Sequence, residues 1–308
     1  MTAYTLVLHK MIKNILNKIT GTHLGLLLIV MFFATQVCYA DDNILTMDQQ
    51  GNDVIINVLQ EGYDNSILVD LGLASGDSDN TFEVKQEGHN NEVFLSVGGT
   101  DNTLVLIQEG NNNDISWTDS WGSGKAWGGD LDGNYNNIHI QQKCSFTTCN
   151  PNEAQFHIWG NSNTVLFGQG YYLTGPSDTT FDYDNWEPGG NFLRLDIHGS
   201  SNSFKGGQKM DSTSTNHNMT VDIHGNSNNV FAQQWANGNK TLTLNVDSNS
   251  NSVAIEQNNS GNHTATVTLD GSYPTSLNLL QTGSGNQSYT LFQNCQTVGG
   301  CSVSITQD

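Results

Sequence analysis

The tetrapeptide Asp-Ile-His-Gly occurs twice, at residues 196–199 and 222–225. No other residues in the sequence come nearer to metal ligation by type and spacing. If the two copies lie on adjacent strands, His198 and His224 share one outward column. With Asp196 and Asp222 they make a square of two imidazoles and two carboxylates, a donor set that suits Zn²⁺ or Cu²⁺. The plainer reading makes all four solvated outward residues of a repeat. It is the reading adopted here, so no metal ligand and no cofactor is expected. The stretch GGDLDGN (128–134) has Asp-x-Asp-Gly but lacks the spacing and the distal Glu of a Ca²⁺ loop.

Catalytic chemistry fares no better. The sequence has one arginine, Arg194, among ten Lys and Arg, so the cationic cluster used by parallel β-helix lyases is missing. No nucleophile with a paired base, phosphate-binding loop or pair of general acid and base follows from spacing. The sequence therefore predicts no enzyme and no catalytic residue. Short Thr columns at 241–246 and 264–271 cover only two repeats, too little for an ice-binding face.

Composition narrows the partners. The first forty residues carry Lys10, Lys13 and Lys18, an apolar run at 24–34, and small residues at Cys38 and Ala40. This is the pattern of a secretory signal peptide, with Met1 or Met11 as its start. Cleavage after Ala40 leaves residues 41–308, with all 30 acidic residues and 7 of the 10 Lys and Arg, a formal charge of −23. A surface of that sign repels nucleic acid, whose recognition needs clustered Lys and Arg. It favours solubility and cations.

These side chains are positioned by a repeat. Asn-x-φ-x-φ-x-Gln, with φ apolar, recurs at 43–49, 80–86, 102–108, 136–142, 163–169, 202–208, 228–234 and 251–257. Strict alternation over six or seven residues is the β-strand signal. A second set of alternating segments lies between these, near 65–71, 91–97, 113–117, 156–158, 193–197, 219–223, 242–246 and 265–269. The two sets together predict an all-β solenoid of about ten two-strand coils. One strand of each coil ends in Gln: Gln60, Gln86, Gln108, Gln142, Gln169, Gln208, Gln234, Gln257, Gln281 and Gln307. The inward Asn series is Asn80, Asn102, Asn136, Asn163, Asn202, Asn228 and Asn251. Identical amides stacked ~4.8 Å apart can donate to one neighbour and accept from the other, so the repeat specifies stacking in Asn/Gln ladders.

The register also constrains the cysteines. Cys144 and Cys149 lie about six coils from Cys295 and Cys301, roughly 29 Å at ~4.8 Å per coil. A disulfide needs Cα atoms within ~7 Å, so each close pair is expected to staple its own corner. Enlarged corners are expected at 118–135, 143–153, 170–190 and 209–218. The first contains Trp121, Trp127, Asp130, Asp132 and Tyr135. The third contains Tyr171, Tyr172, Asp182, Tyr183, Asp184 and Trp186.

With the repeat in view, the chain resembles the curlin-repeat family, whose members build bacterial extracellular amyloid fibres. The family unit is similar to Gln-x-Gly-x-x-Asn-x-φ. It is matched by Gln60, Gly62, Asn65 and Ile67, by Gln86, Gly88, Asn91 and Val93, and by Gln108, Gly110, Asn113 and Ile115. The likeness is clearest over 43–117, with degenerate copies to 307. It departs from the family where Leu71 and Val97 replace a second Gln, in its long insertions, and in having no export segment between Ala40 and Asn43. The resemblance implies export through an outer-membrane channel, a nucleator subunit, and polymerisation into a biofilm fibre. The expectation is a secreted head-to-tail homopolymer on the cell surface. The alternative is a monomeric secreted adhesin or glycan-binding module that uses the aromatic insertions.

Overall fold

The computed structural model describes residues 43–50, 55–72, 81–99, 101–115, 117–118, 126–127, 130–144, 152–170, 189–211 and 216–308. The expected signal peptide, Asn80, Cys149, Trp121 and the aromatic residues at 171–186 lie outside the described residues. Among those described there is no helix. Strands form two long parallel sheets that face each other across a narrow core, so the fold is an all-β solenoid.

The first sheet runs, in order, through Ile44–Gln50, Ser66–Gly72, Glu92–Gly98, Asn113–Ile115 with Asp130–Asp132, Asn152–Trp159, Phe192–His198, His217–Asn218 with Ile223–His224, Lys240–Thr241, His263–Gly271 and Gln287–Cys295. The second runs through Ile55–Tyr63, Thr81–His89, Thr103–Asn111, Asn137–Cys144, Thr164–Gln169, Ser203–Lys209, Asn229–Trp235, Ser252–Gln257, Thr275–Gln281 and Cys301–Gln307. Successive strands in the chain alternate between sheets, so each pairs with the strand one turn on. About seven turns carry a full-length strand in both sheets. At the other levels the first-sheet strand is broken or short, so the regular coil is met less often than the ten coils expected.

The irregular levels have local causes. Residues 219–222 and 242–247 are not strand, although Met219, Val221, Leu242, Leu244 and Val246 are fully buried there. Asp222 and Asn245 take the left-handed conformation, φ +57° and +45°, which Asp and Asn tolerate better than most residues. The expected corner at 118–135 is not a corner. Asn113–Ile115 and Asp130–Asp132 occupy the same level, both pairing with Glu92–Gly98 and Asn152–Trp159. The extra residues therefore leave and re-enter in mid-strand, and within them Trp117–Thr118 pairs antiparallel with Ala126–Trp127. The insertion at 143–153 is also shorter than expected, because the flanking strands extend to Cys144 and from Asn152.

Period-two alternation sends every second side chain inward. In the second sheet these form columns such as Val84, Leu106, Ile140, Phe167, Gly206, Ala232, Ile255 and Leu279. Gly206 leaves room for the rings of Phe167 one level before it and Phe204 two residues before it. Phe167 and Phe204 lie 6.1 Å apart, and a Cβ on Gly206 would meet Phe204 at 3.2 Å and the Ala232 carbonyl at 2.4 Å. Large and small residues thus share the core volume between levels.

The corners impose a second constraint. In Gln-x-Gly-x-x-Asn the glycine and the residue before Asn both have positive φ, as at Gly88 (+116°) and Asn90 (+55°). A Cβ on Gly88 would fall 2.0 Å from the Gly110 carbonyl oxygen of the next level. Glycine is needed there for conformation and for close stacking alike.

Candidate assembly interface

The ten glutamines that the sequence singles out form one continuous column in the second sheet. Each side-chain amide donates to the carbonyl oxygen of the next: Gln60 to Gln86 at 3.1 Å, then 2.8, 2.9, 2.8, 3.2, 2.8, 2.8, 2.7 and finally Gln281 to Gln307 at 2.8 Å. Eight of them, Gln86 to Gln281, are fully buried. The same nitrogen makes a second bond across the core to a first-sheet backbone carbonyl, for example Gln169 to Glu153 O and Gln234 to Asn218 O, both 2.8 Å. One N–H thus ties level to level and the other ties sheet to sheet. A buried amide that would cost free energy alone is satisfied in both directions.

The expected asparagine series is also a ladder. Asn136 donates to Asn102 Oδ1 at 3.1 Å through its side chain and at 2.9 Å through its backbone N–H. Asn163, Asn202, Asn228 and Asn251 repeat the arrangement. Asn163, Asn202 and Asn228 also donate to a corner carbonyl, as Asn163 does to Gly199 at 2.9 Å, while Asn251 donates to the Ser248 hydroxyl at 2.9 Å. The column closes where Thr275 N–H donates to Asn251 Oδ1 at 2.7 Å, followed in register by Cys301.

A third ladder leads the first sheet; the sequence marks Asn65, Asn91 and Asn113 as repeat positions but not as a ladder. It runs Asn43, Asn65, Asn91, Asn113, Asn152 and Asn191, with links of 3.0 to 3.2 Å. Asn43 begins it, so the repeat at 43–49 belongs to the first sheet and not to the Gln series. Ile44 pairs with Ser66, and Gln49 stands where Leu71 does in the next turn. From there the equivalent column stays aliphatic through Val97, Leu131, Ile158, Ile197 and Ile223.

After Asn191 the third ladder changes chemistry. His217, Lys240 and His263 follow in register, and all three are fully buried. The Lys240 ammonium donates to the carbonyls of Gly261 (2.8 Å), Asn259 (2.8 Å), Gly238 (3.3 Å) and Asn237. Burial nonetheless pushes it down to about 8. Burial, aided by the Lys240 charge, pushes His217 down to about 3. The carbonyls of Gly238, Ala236 and Gln234 oppose that shift without reaching hydrogen-bond geometry with its ring. His263 is lowered by burial too, and its Nε2 donates to Asn258 O at 2.7 Å.

The last level differs from those before it. Tyr289, Leu291, Val303 and Ile305 point inward but are only partly buried, whereas Val267, Leu269 and Leu279 one level earlier are fully buried. Gln307 Nε2 reaches only Ser288 O, at 3.3 Å. A disulfide between Cys295 and Cys301 closes the corner joining these last two strands. Cys144 is also disulfide-bonded and buried, while its expected partner Cys149 lies outside the described residues.

The outward square of two histidines and two aspartates, the reading set aside above, does not form. His198 and His224 share a column, as expected, with ring centroids 5.1 Å apart. Asp222, however, is turned by its left-handed backbone and accepts from Asn245 at 2.8 Å. Asp196 instead meets His157 and His198. Arg194 sits on the outward face of Phe192–His198, between buried Leu193 and Leu195.

Fold and ladders together define a parallel β-solenoid whose inner columns are side-chain amides. No protein-family model, curated protein or solved structure matches the chain.

Proposed function

We propose that this protein is a secreted structural subunit that stacks head to tail into an extracellular, amyloid-like fibre. The observation that carries the proposal is the directional Gln ladder ending on an incompletely covered level. Every Gln from 60 to 281 passes a hydrogen bond to the next, and Gln307 has the same donor at the end of the column. A second copy placed with its Gln60 level on the Gln307 level would extend the ladder with the same polarity. It would also cover Tyr289, Leu291, Val303 and Ile305. Contacts of this heterologous kind do not close, so they grow filaments. The curlin resemblance around Gln60, Gln86 and Gln108 supports the same reading. It brings with it an outer-membrane export channel, a nucleator and a place in a biofilm matrix. The role is structural, carried by ladders and end levels and by no catalytic centre.

The test is electron microscopy and fibre diffraction on purified protein released from denaturant. Filaments with a ~4.8 Å repeat along the axis are expected, and deletion of 301–307 should abolish them. A folded monomer that stays monomeric at high concentration would overturn the proposal.

A further inference from the structure

On the outward face of the first sheet, Asp196 Oδ1 lies 3.2 Å from His157 Nδ1 and 2.9 Å from His198 Nε2. One ligand atom from each of the three residues falls within 4.8 Å of the other two. We propose that His157, Asp196 and His198 form a binding site for a Zn²⁺-class divalent transition ion.

Three observations converge on this. The first is the donor set, since two imidazole nitrogens and one carboxylate oxygen are the ligands that Zn²⁺ and Cu²⁺ prefer over the all-oxygen shells of Ca²⁺ and Mg²⁺. The second is spacing, since tetrahedral ligands held about 2 Å from a zinc ion stand roughly 3.3 Å apart, and two of the edges here are 2.9 and 3.2 Å. The third is preorganisation. Asn152–Trp159 and Phe192–His198 pair over seven residues, with His157 opposite Asp196 and Trp159 opposite His198. Neither strand can slip without turning its core residues outward.

The site is shielded but open. The side chains of Asp196 and His157 are 15% and 20% exposed, while His198 is 37% exposed and leaves a path to solvent. The Trp159 and His224 rings pack edge-on against His198 at 5.4 and 5.1 Å. His224 is engaged by Asp247 at 3.3 Å and stands beside the triad as a support.

The experiment is calorimetric titration of the purified protein with ZnCl₂, run beside CaCl₂. One equivalent of Zn²⁺ should bind saturably, while Ca²⁺ shows only the weak multiple binding expected of an acidic surface. Asp196→Asn, which keeps the side-chain shape, and His198→Ala should each weaken Zn²⁺ at least tenfold. NMR of the unmutated protein needs no variant to fold. Zn²⁺ should shift the ring signals of His157 and His198 and spare His89, which stacks on Tyr63 at a distant corner. The proposal is overturned by absent single-site Zn²⁺ binding, by equal affinity in both variants, or by Zn²⁺ shifts that spare His157 and His198.

Discussion

Lys240 stands in register with His217, in the column that asparagines fill from Asn43 to Asn191. Both are fully buried, and each is displaced toward its neutral form. The consequence is a pH dependence of stability with a definite sign. His217 protonates near 3 in the folded chain and near 6.5 when unfolded. Between these values the unfolded state holds the extra proton, so stability rises with pH there and is lost as pH falls from 6.5 toward 3. At 1.36 kcal/mol per unit the loss is several kcal/mol, at most about 5. Lys240 adds a second rise from about 8 to 10.5. Denaturation midpoints across pH 3–10 should trace both.

Restoring asparagine at this point should shrink the acid limb. Asn191 Oδ1 is buried without a hydrogen-bond partner. His217→Asn would supply a donor, as Asn191 itself supplies Asn152 at 3.1 Å. We expect a stabilised protein, by about 1–2 kcal/mol, with a shallower acid limb whose remainder comes from His263 and His139, which burial also lowers. An unchanged acid limb in this variant would show that His217 is not its source.

Corner glycines should be intolerant in proportion to stacking. At Gly160, φ is +141° and an added Cβ would lie 1.9 Å from the Gly199 carbonyl oxygen. Gly160→Ala should cost more than ~2 kcal/mol, because backbone meets backbone. Gly285→Ala meets nothing within 4 Å and should stay within ~0.5 kcal/mol of the parent. Urea midpoints of the two variants decide the matter.

The Gln ladder should penalise charge more than loss of hydrogen bonding. Gln142 accepts from Gln108 at 2.9 Å and donates to Gln169 and Asp114 O at 2.8 Å each. Gln142→Leu strands the amides above and below, at about 1–3 kcal/mol per group left unpaired. Gln142→Glu buries a carboxylate without a cation and should be worse at pH 7, recovering partly in acid as it protonates. Equal stability of the two variants at pH 7 would contradict this.

Reduction of Cys295–Cys301 should act locally. The bridge spans six residues, so the chain-entropy estimate is about 2 kcal/mol. Hydrogen exchange should quicken in Gln287–Cys295 and Cys301–Gln307 while Thr164–Gln169 keeps its protection. Uniform loss across the chain would instead make the solenoid one cooperative unit.

Much of this fold is written in period two plus a recurring amide. The Gln column was legible because Gln at a fixed place in each alternating segment has no other ready use. The Asn column beginning at Asn102 was legible for the same reason. The first-sheet column was harder, because its asparagines share their segments with Gly and Asp turn residues that also favour Asn. His217 and Lys240 broke the residue type without breaking the spacing. Each lies seventeen residues before its Gln, as Asn191 does before Gln208, and that count was the available signal. His157 was missed because it has no Asp-Ile-His-Gly context of its own. Only strand register brings it to Asp196. The mid-strand excursion after Ile115 was opaque for a different reason, since three residues on either side are too few to show alternation.

That excursion separates two quantities that a helix or a hairpin keeps locked together. Consecutive ladder glutamines are 22 residues apart at Gln86–Gln108 and 34 apart at Gln108–Gln142, where the excursion lies, yet each step is one strand spacing. Chain length can therefore grow at fixed axial length, and new sequence emerges sideways at a chosen height. A peptide grafted between Thr118 and Ala126 would be displayed at one level while Asn113–Ile115 and Asp130–Asp132 keep their places.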